Sequence, residues 1–377
     1  MMIKTVNLGE LISPAKVRRC NDGEYPVLSM TMHDGIVLQS ERFKKSLASL
    51  DQSNYKVVSR GQLVVGFPID EGVIYVQNAA DEGIMSPAYG VWDIQAEKVL
   101  PEYLECCLHS PQSMSYYMSK LKGTTARRRS ITTEDLLSLP ISLPDKSEQR
   151  RRLSLLLHCK DIIAKTEQQL AKLDELVKSR FIEMFGDPVA SENKKKLSEI
   201  GRVFTGNTPS MKEPSYYESN DIPFIKPSDL NENGVTSIDD VEAFVSEKSR
   251  LVARIIPPNS VLVTCIGTIG KIGITTRESC CNQQINFIVP NDGINSVYLA
   301  YCLTFFKSTL QNIANAPVVP IINKTQFSEL QIPVFEMDMQ QRFATFVEQT
   351  DKSKFEVKEA LEKLEILKKS LMQQYFG

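Results

Sequence analysis

The chain has 377 residues, 42% hydrophobic and 24% charged, with 44 Lys and Arg against 46 Asp and Glu and a formal net charge of −2. At about 150 residues per domain it has room for two or three domains with real cores, and its charge excludes a polybasic nucleic-acid coat. No apolar run reaches the roughly 18 residues of a membrane span, the start MMIKTVNLGE lacks the apolar stretch of a signal peptide, and eight Cys without CxxC spacing read as reduced cytoplasmic thiols.

Residues 1–146 carry short β-rich runs, among them Gln62–Gly66 and Gly72–Val76, punctuated by Gly, Pro, Asn and Asp. That pattern predicts a mixed α+β globule. Its candidate nucleic-acid contacts are Arg18-Arg19, Lys44-Lys45, Lys120 and Lys122, and above all the segment LKGTTARRRSITTEDL (121–136). There Arg127, Arg128 and Arg129 stand beside the hydroxyls of Thr124, Thr125, Ser130, Thr132 and Thr133. Arginine forks suit guanine edges and phosphates, and small hydroxyls suit phosphate oxygens. An Arg triplet taken alone also reads as a solvated loop capping the next helix.

PISLPDKSEQ (140–149) marks the passage into a long amphipathic helix, from near Glu148 to Met184. Leu156, Ile163, Leu170, Val177 and Met184 recur every seven residues, with Leu153 and Leu173 at the alternate position. The polar run ASENKKK (190–196) then links this helix to a second globule, 187–335, with β-rich runs Ser260–Ile266 and Ile285–Val289. Its candidate contacts are Lys212, Tyr216-Tyr217, Lys226, Lys271, Asn315 and Lys324, each also readable as an ordinary surface residue. QIPVFEMDMQ (331–340) leads into a second helix, from near Met339 to Tyr375, in which Val347, Val357, Leu361, Leu364, Leu371 and Tyr375 follow the same three-four spacing. Cys159, Thr166, Lys354 and Lys368 interrupt the two apolar seams, and a glycine follows each helix, as a left-handed cap requires.

The two halves repeat. At an offset of 191 residues the stretch ending at Gly186 and the stretch ending at Gly377 share 13 identities over 56 ungapped positions, Gln149 with Gln340 and Phe185-Gly186 with Phe376-Gly377 among them. Ordinary residue frequencies give about three. The expected architecture is α+β: two globules with mixed, mainly antiparallel sheets, 1–146 and 187–335, followed by helices 147–186 and 336–377. Two such helices of about 37 residues, about 55 Å long, bury both seams by packing as an antiparallel coiled coil. The globules then face the same way at its two ends, a shape that suits a reader of two DNA segments more than one turn of about 34–36 Å apart. Residues at corresponding loop positions differ: Arg127, Arg128 and Arg129 align with Val318, Val319 and Pro320. Shared scaffold with divergent loops is what readers of two different sequences show.

Catalytic signals are missing. His33, His109 and His158 are isolated and read as structural, and no metal site is expected. GTIGK (267–271) lacks the spacer of a phosphate loop, and Ile272 stands where a magnesium-binding hydroxyl belongs, so a tight turn between strands is expected. There is no GxSxG, no HExxH and no Asn-Pro-Pro-aromatic motif, and no Glu-x-Lys follows Pro144-Asp145. Residues 1–146 hold 16 basic and 17 acidic groups, and residues 187–335 hold 13 and 15. DNA binding would therefore work through focused patches with help from partner subunits.

An ordered set of motifs resembles the specificity subunits of type I restriction-modification systems. In the second globule these are LSEIG (197–201), TGNTPS (205–210), IPFIKPSDL (222–230), Ser249-Arg250, VLVTCIGTIGKIGI (261–274) and NQQIN (282–286). The first globule resembles a different branch, with NLGEL (7–11), YKVVSRGQLVVG (55–66) and GIMSPAYGVW (83–92). The resemblance covers essentially the whole chain. It implies two target-recognition domains that each read one half of a bipartite, asymmetric site in double-stranded DNA. It further implies helices that set the spacer and dock two modification (methyltransferase) subunits and, when present, restriction subunits. S-adenosylmethionine, ATP and magnesium belong to those partners, and this chain carries no catalysis. The alternative is a non-catalytic coiled-coil scaffold joining proteins through two adaptor globules.

Overall fold

The computed structural model describes residues 4–20, 24–32, 34–42, 52–121, 130–314 and 319–377. The chain forms two compact units, Met1–Thr166 with Ala360–Gly377, and Glu167–Glu359. Each unit thus takes half of each long helix. These helices, Lys146–Phe185 and Met337–Phe376, have 40 residues apiece and extend the boundaries read from the periodicity by only one or two residues at each end. The first ends at Gly186, whose φ of +72° and N–H bond to Ile182 O (2.8 Å) form the left-handed cap that its glycine foretold.

Both units are built on one plan. A short strand leads into a turn and pairs antiparallel with the strand that precedes the long helix: Lys4–Asn7 with Pro140–Leu143, and Lys194–Lys196 with Gln331–Pro333. The KKK of the expected linker is therefore a strand. Pairing satisfies its backbone and leaves Lys195 exposed, with Lys194 and Lys196 half-buried. The turn is held alike in both units, Asn7 N–H to Glu10 Oε1 (3.0 Å) and Lys196 N–H to Glu199 Oε2 (2.6 Å).

The main sheet of the first unit has the order Ile12–Pro14, Gly90–Ile94, Leu63–Val65, Ile74–Val76, all antiparallel. That of the second unit repeats it as Gly201–Thr205, Ile285–Pro290, Val261–Thr264, Ile272–Thr275, and adds Val235–Ile238 in parallel. A helix follows the sheet in each case, Pro101–Leu108 or Ser296–Phe305.

The cores exchange helix ends. Phe181 and Phe185, from the end of the first long helix, join Tyr298, Phe343 and Val347 in the core of the second unit. Phe376, from the end of the second helix, joins Tyr103, Leu153 and Leu156 in the first. The Tyr103–Phe376 and Tyr298–Phe185 ring pairs, at 5.1 and 4.9 Å, are the same contact made twice with the helices traded. This is antiparallel packing. Of the expected seam residues, Leu156, Ile163, Val177 and Val347 are buried, and Leu170, Leu173, Leu361, Leu364 and Leu371 are half-buried. The polar interruptions are accommodated: Cys159 Sγ lies 3.8 Å from Leu364 O, and Lys354 Nζ pairs with Asp174 at 2.8 Å.

Candidate nucleic-acid interface

Strand register brings the motifs to one end of each sheet. In the second unit Thr205 pairs with Asn286, and Thr264 with Ile285, while Val263 pairs with Ile272. The segments leaving Thr205 (TGNTPS), entering Ile285 (NQQIN) and turning from Thr264 to Ile272 (CIGTIGK) therefore share that end. Side chains lock them together: Thr205 Oγ1 donates to Asn286 Oδ1 (2.6 Å) and Thr208 Oγ1 to Gln283 Oε1 (2.7 Å). Asn286 reaches on to Ile322 O (3.3 Å), and the Tyr217 hydroxyl donates to Pro209 O (2.7 Å). At Gly206 any Cβ would stand 2.3 Å from Asn282 O, so only glycine allows this approach. GTIGK is a turn between antiparallel strands, with Gly267 at φ +76° and Gly270 at φ +85°.

Two cations meet over one ring at this end. The Arg254 guanidinium lies 5.9 Å and the Lys324 ammonium 5.7 Å from the centroid of Phe204, which stacks on Phe287 at 5.2 Å. Arg254 and Lys324 are exposed, and neither has a carboxylate partner among the described residues. By contrast Lys248, Arg250 and Lys196 are paired with Glu218, Glu247 and Glu329. Positive charge left unneutralised around an aromatic face attracts polyanions.

The other expected residues of this unit are dispersed. Lys212 and Lys226 are exposed, the latter beginning a turn in which its N–H bonds Asp229 (2.6 Å). Tyr216 is half-buried, and its carbonyl accepts from Ser246 N–H (2.7 Å). Lys271 is committed inside the protein, with its side chain 12% exposed and its ammonium held by Glu232 (2.9 Å) and Pro227 O (3.2 Å). Asn315 lies outside the described residues.

In the first unit Pro14 pairs with Trp92 and Val65 with both Gly90 and Ile74, so the segments that leave Pro14 and Val65 and enter Gly90 again share one sheet end. Arg18 pairs with Glu82, and Arg19 donates to Asn54 Oδ1. Arg19 bridges to Lys56, whose ammonium bonds Tyr89 O at 2.5 Å. Burial, and after it the Arg19 charge, pushes the Lys56 ammonium below the usual lysine range. Lys44, Lys45, Thr124, Thr125, Arg127, Arg128 and Arg129 lie outside the described residues, as does His33. His158 is exposed, and His109 is structural: its ring nitrogens lie 2.8 and 2.9 Å from Glu105 O and Gly72 O.

Reading basic runs missed Phe204 and Arg254. Their neighbours were in view in TGNTPS, but the pairing of a cation 50 residues away with that ring is a product of the fold. Among the described residues no group of His, Cys, Asp and Glu is arranged to hold a metal ion, and no helix is long and apolar enough to cross a membrane.

One scaffold is made twice in this chain, with different side chains at the same sheet end. Residues 190–367 match the sequence profile of the type I restriction modification DNA specificity domain. The chain is 23% identical over 411 aligned residues to the type I restriction enzyme HindI specificity subunit of Haemophilus influenzae, an alignment covering 87% of this chain and 89% of that protein. It is 32% identical over 180 residues to the MjaIX specificity subunit of Methanocaldococcus jannaschii, covering 45% of this chain and 41% of that one. A solved chain from a study of complex assembly and conformational transition of the type I R-M system superposes with a TM-score of 0.65 at 18% identity, over 99% of this chain and 97% of its own. Over most of its length the chain is thus similar to type I restriction-modification specificity subunits, and it shares the fold of that solved chain.

Proposed function

We propose that this chain reads a bipartite, asymmetric site in double-stranded DNA, each unit contacting one half through the loops at its shared sheet end. The observation that carries this reading is the pair of equivalent loop clusters with unlike chemistry. One has Arg254 and Lys324 over Phe204; the other has Arg18 and Arg19 in the segment that leaves Pro14. Phosphate contacts from the unpaired cations would set position, and the residues that differ between the units would set sequence.

The long helices would dock two modification subunits, and restriction subunits when these are made, and would fix the distance between half-sites. S-adenosylmethionine for adenine methylation, and ATP and magnesium for translocation and cleavage, would be bound by those partners in the cytoplasm. The test is to co-express this chain with its modification subunit and map methylated adenines genome-wide by single-molecule sequencing. A bipartite motif with one fixed gap is expected. A stable complex that methylates no motif would overturn the reading and leave a protein scaffold.

A further inference from the structure

Four arginines lie between residues 187 and 335, and one of them is left free at the loop end of the sheet. Arg202 and Arg277 lie towards the opposite end, the first paired with Val289 and the second just past Ile272–Thr275. Arg250 takes both carboxylates of its neighbourhood, Glu247 and Glu278. Arg254 is exposed, and no carboxylate pairs with it among the described residues.

Arg254 is anchored at three points. Its backbone N–H donates to Asn207 Oδ1 (2.7 Å), and Asn207 Nδ2 donates to Val252 O (2.7 Å), which laces this segment to TGNTPS. Its Nη1 donates to Thr205 O. Its guanidinium lies over Phe204, whose ring stacks on buried Phe287. Nε and Nη2 carry no hydrogen bond among the described residues. These two N–H groups share one edge of the guanidinium, a planar fork of donors with no acceptor.

A phosphate accepts a cation from many directions, and the Lys324 ammonium, on a flexible stem over the same ring, suits that role. A fork fixed in orientation suits a planar edge that offers two acceptors side by side. In the major groove guanine alone does so, with O6 beside N7; adenine and cytosine present an amino donor, and thymine a methyl group. We propose that Arg254 is a specificity-determining residue of the second unit, its Nε–Nη2 edge donating to O6 and N7 of one guanine while Thr205 O and the Phe204 ring hold it in place. The proposal rests on the DNA-reading function above and divides the two cations, Lys324 on phosphate and Arg254 on a base.

The experiment uses the complex of this chain with its modification subunits and the duplex defined by methylation mapping. Each guanine of both half-sites is replaced in turn by 7-deazaguanine, which keeps base pairing and removes the N7 acceptor. At one guanine the wild-type complex should lose about tenfold in affinity. Arg254→Met, which removes the donors and keeps an apolar stem, should bind that pair of duplexes equally. It should leave the slope of log K against log salt nearly unchanged, whereas Lys324→Gln should lower it by about one. Should Arg254→Met lower the melting temperature of the complex, Arg254→Lys decides: it keeps the charge without the fork, and should keep only part of the penalty. An unchanged penalty in both variants, or no penalty at any guanine, overturns the base contact and leaves DNA reading intact. So does an Arg254→Met complex that weakens equally on every duplex with a slope lower by about one, which makes Arg254 a phosphate contact. A complex that prefers no duplex overturns the parent reading instead.

Discussion

Gln340, at the start of the second long helix, accepts a hydrogen bond from the backbone N–H of Asn295 at 2.8 Å through its Oε1. Its Nε2 donates to Gly293 O (3.2 Å) and Phe335 O (2.7 Å). Gln149 does the same in the first unit, accepting from Leu100 N–H (2.9 Å) and donating to Lys98 O (3.2 Å) and Pro144 O (2.9 Å). Both are fully buried. In each unit one amide satisfies the entry to the helix behind the sheet and the turn into the long helix, which explains why a polar residue survives here in both copies.

Gln340→Leu should therefore destabilise the second unit by about 2–4 kcal/mol, because it strands two carbonyls and one N–H without water. Gln149→Leu should do the same to the first. Urea unfolding of each variant checks this, and the two losses should add, since the sites share no partner.

Gly206→Ala tests the close approach of TGNTPS to NQQIN. The added methyl cannot fit 2.3 Å from Asn282 O, so the segments must part, at about 1–3 kcal/mol. Methylation mapping should show one half-site degraded and the other intact.

The first unit contains an ion pair that titrates. Glu148 receives Arg151 at 2.6 Å and Arg152 at 2.9 Å, and hydrogen bonds from Arg151 and then Arg152 hold its carboxyl down at about 2, well below the ordinary glutamate range. A depressed carboxylate contributes stability above its unfolded pKa and loses it as pH falls through the folded one. The stability difference between wild type and Glu148→Gln should be constant above about pH 5.5 and change as pH falls from about 4.5 towards about 2. Acid titrations followed by circular dichroism of both proteins read this window.

Arg254→Gln with Lys324→Gln should weaken binding of the assembled complex and lower the slope of log K against log salt by about one for each phosphate no longer neutralised. Replacing Arg127, Arg128 and Arg129 should act on the other half-site, by up to about 1–3 kcal/mol for each arginine that reads a base. Competition assays with each half-site altered separately distinguish the two sets.

Seven residues inserted at facing positions of both long helices add two turns, about 10 Å, and keep the seam in register. The methylated motif should then have a spacer longer by about three base pairs. An unchanged spacer would remove the ruler role.

Much of the scaffold was legible because it is local and repeated. A seven-residue apolar spacing and a terminal glycine specify a helix wherever they occur, and an offset of 191 residues exposes the duplication, so the helix limits, the cap at Gly186 and the turn at GTIGK could be read directly. The shared amide role of Gln149 and Gln340 was visible only as an identity. Its meaning lies in partners 45 to 51 residues earlier, such as Asn295 and Lys98.

The candidate site was legible in its motifs and not in its chemistry. Runs of Arg and Lys are conspicuous in a sequence, yet Lys271 turns out to be held internally by Glu232. Arg254 and Phe204, which no run marks, come together across 50 residues. Periodicity and repetition by themselves determined two like units and two long helices, because burying an apolar stripe is a demand each segment makes on its own. Which helix end completes which core, and which cations remain unpaired at the sheet end, only the tertiary structure decided, because strand register and ion pairing depend on residues far apart in the chain.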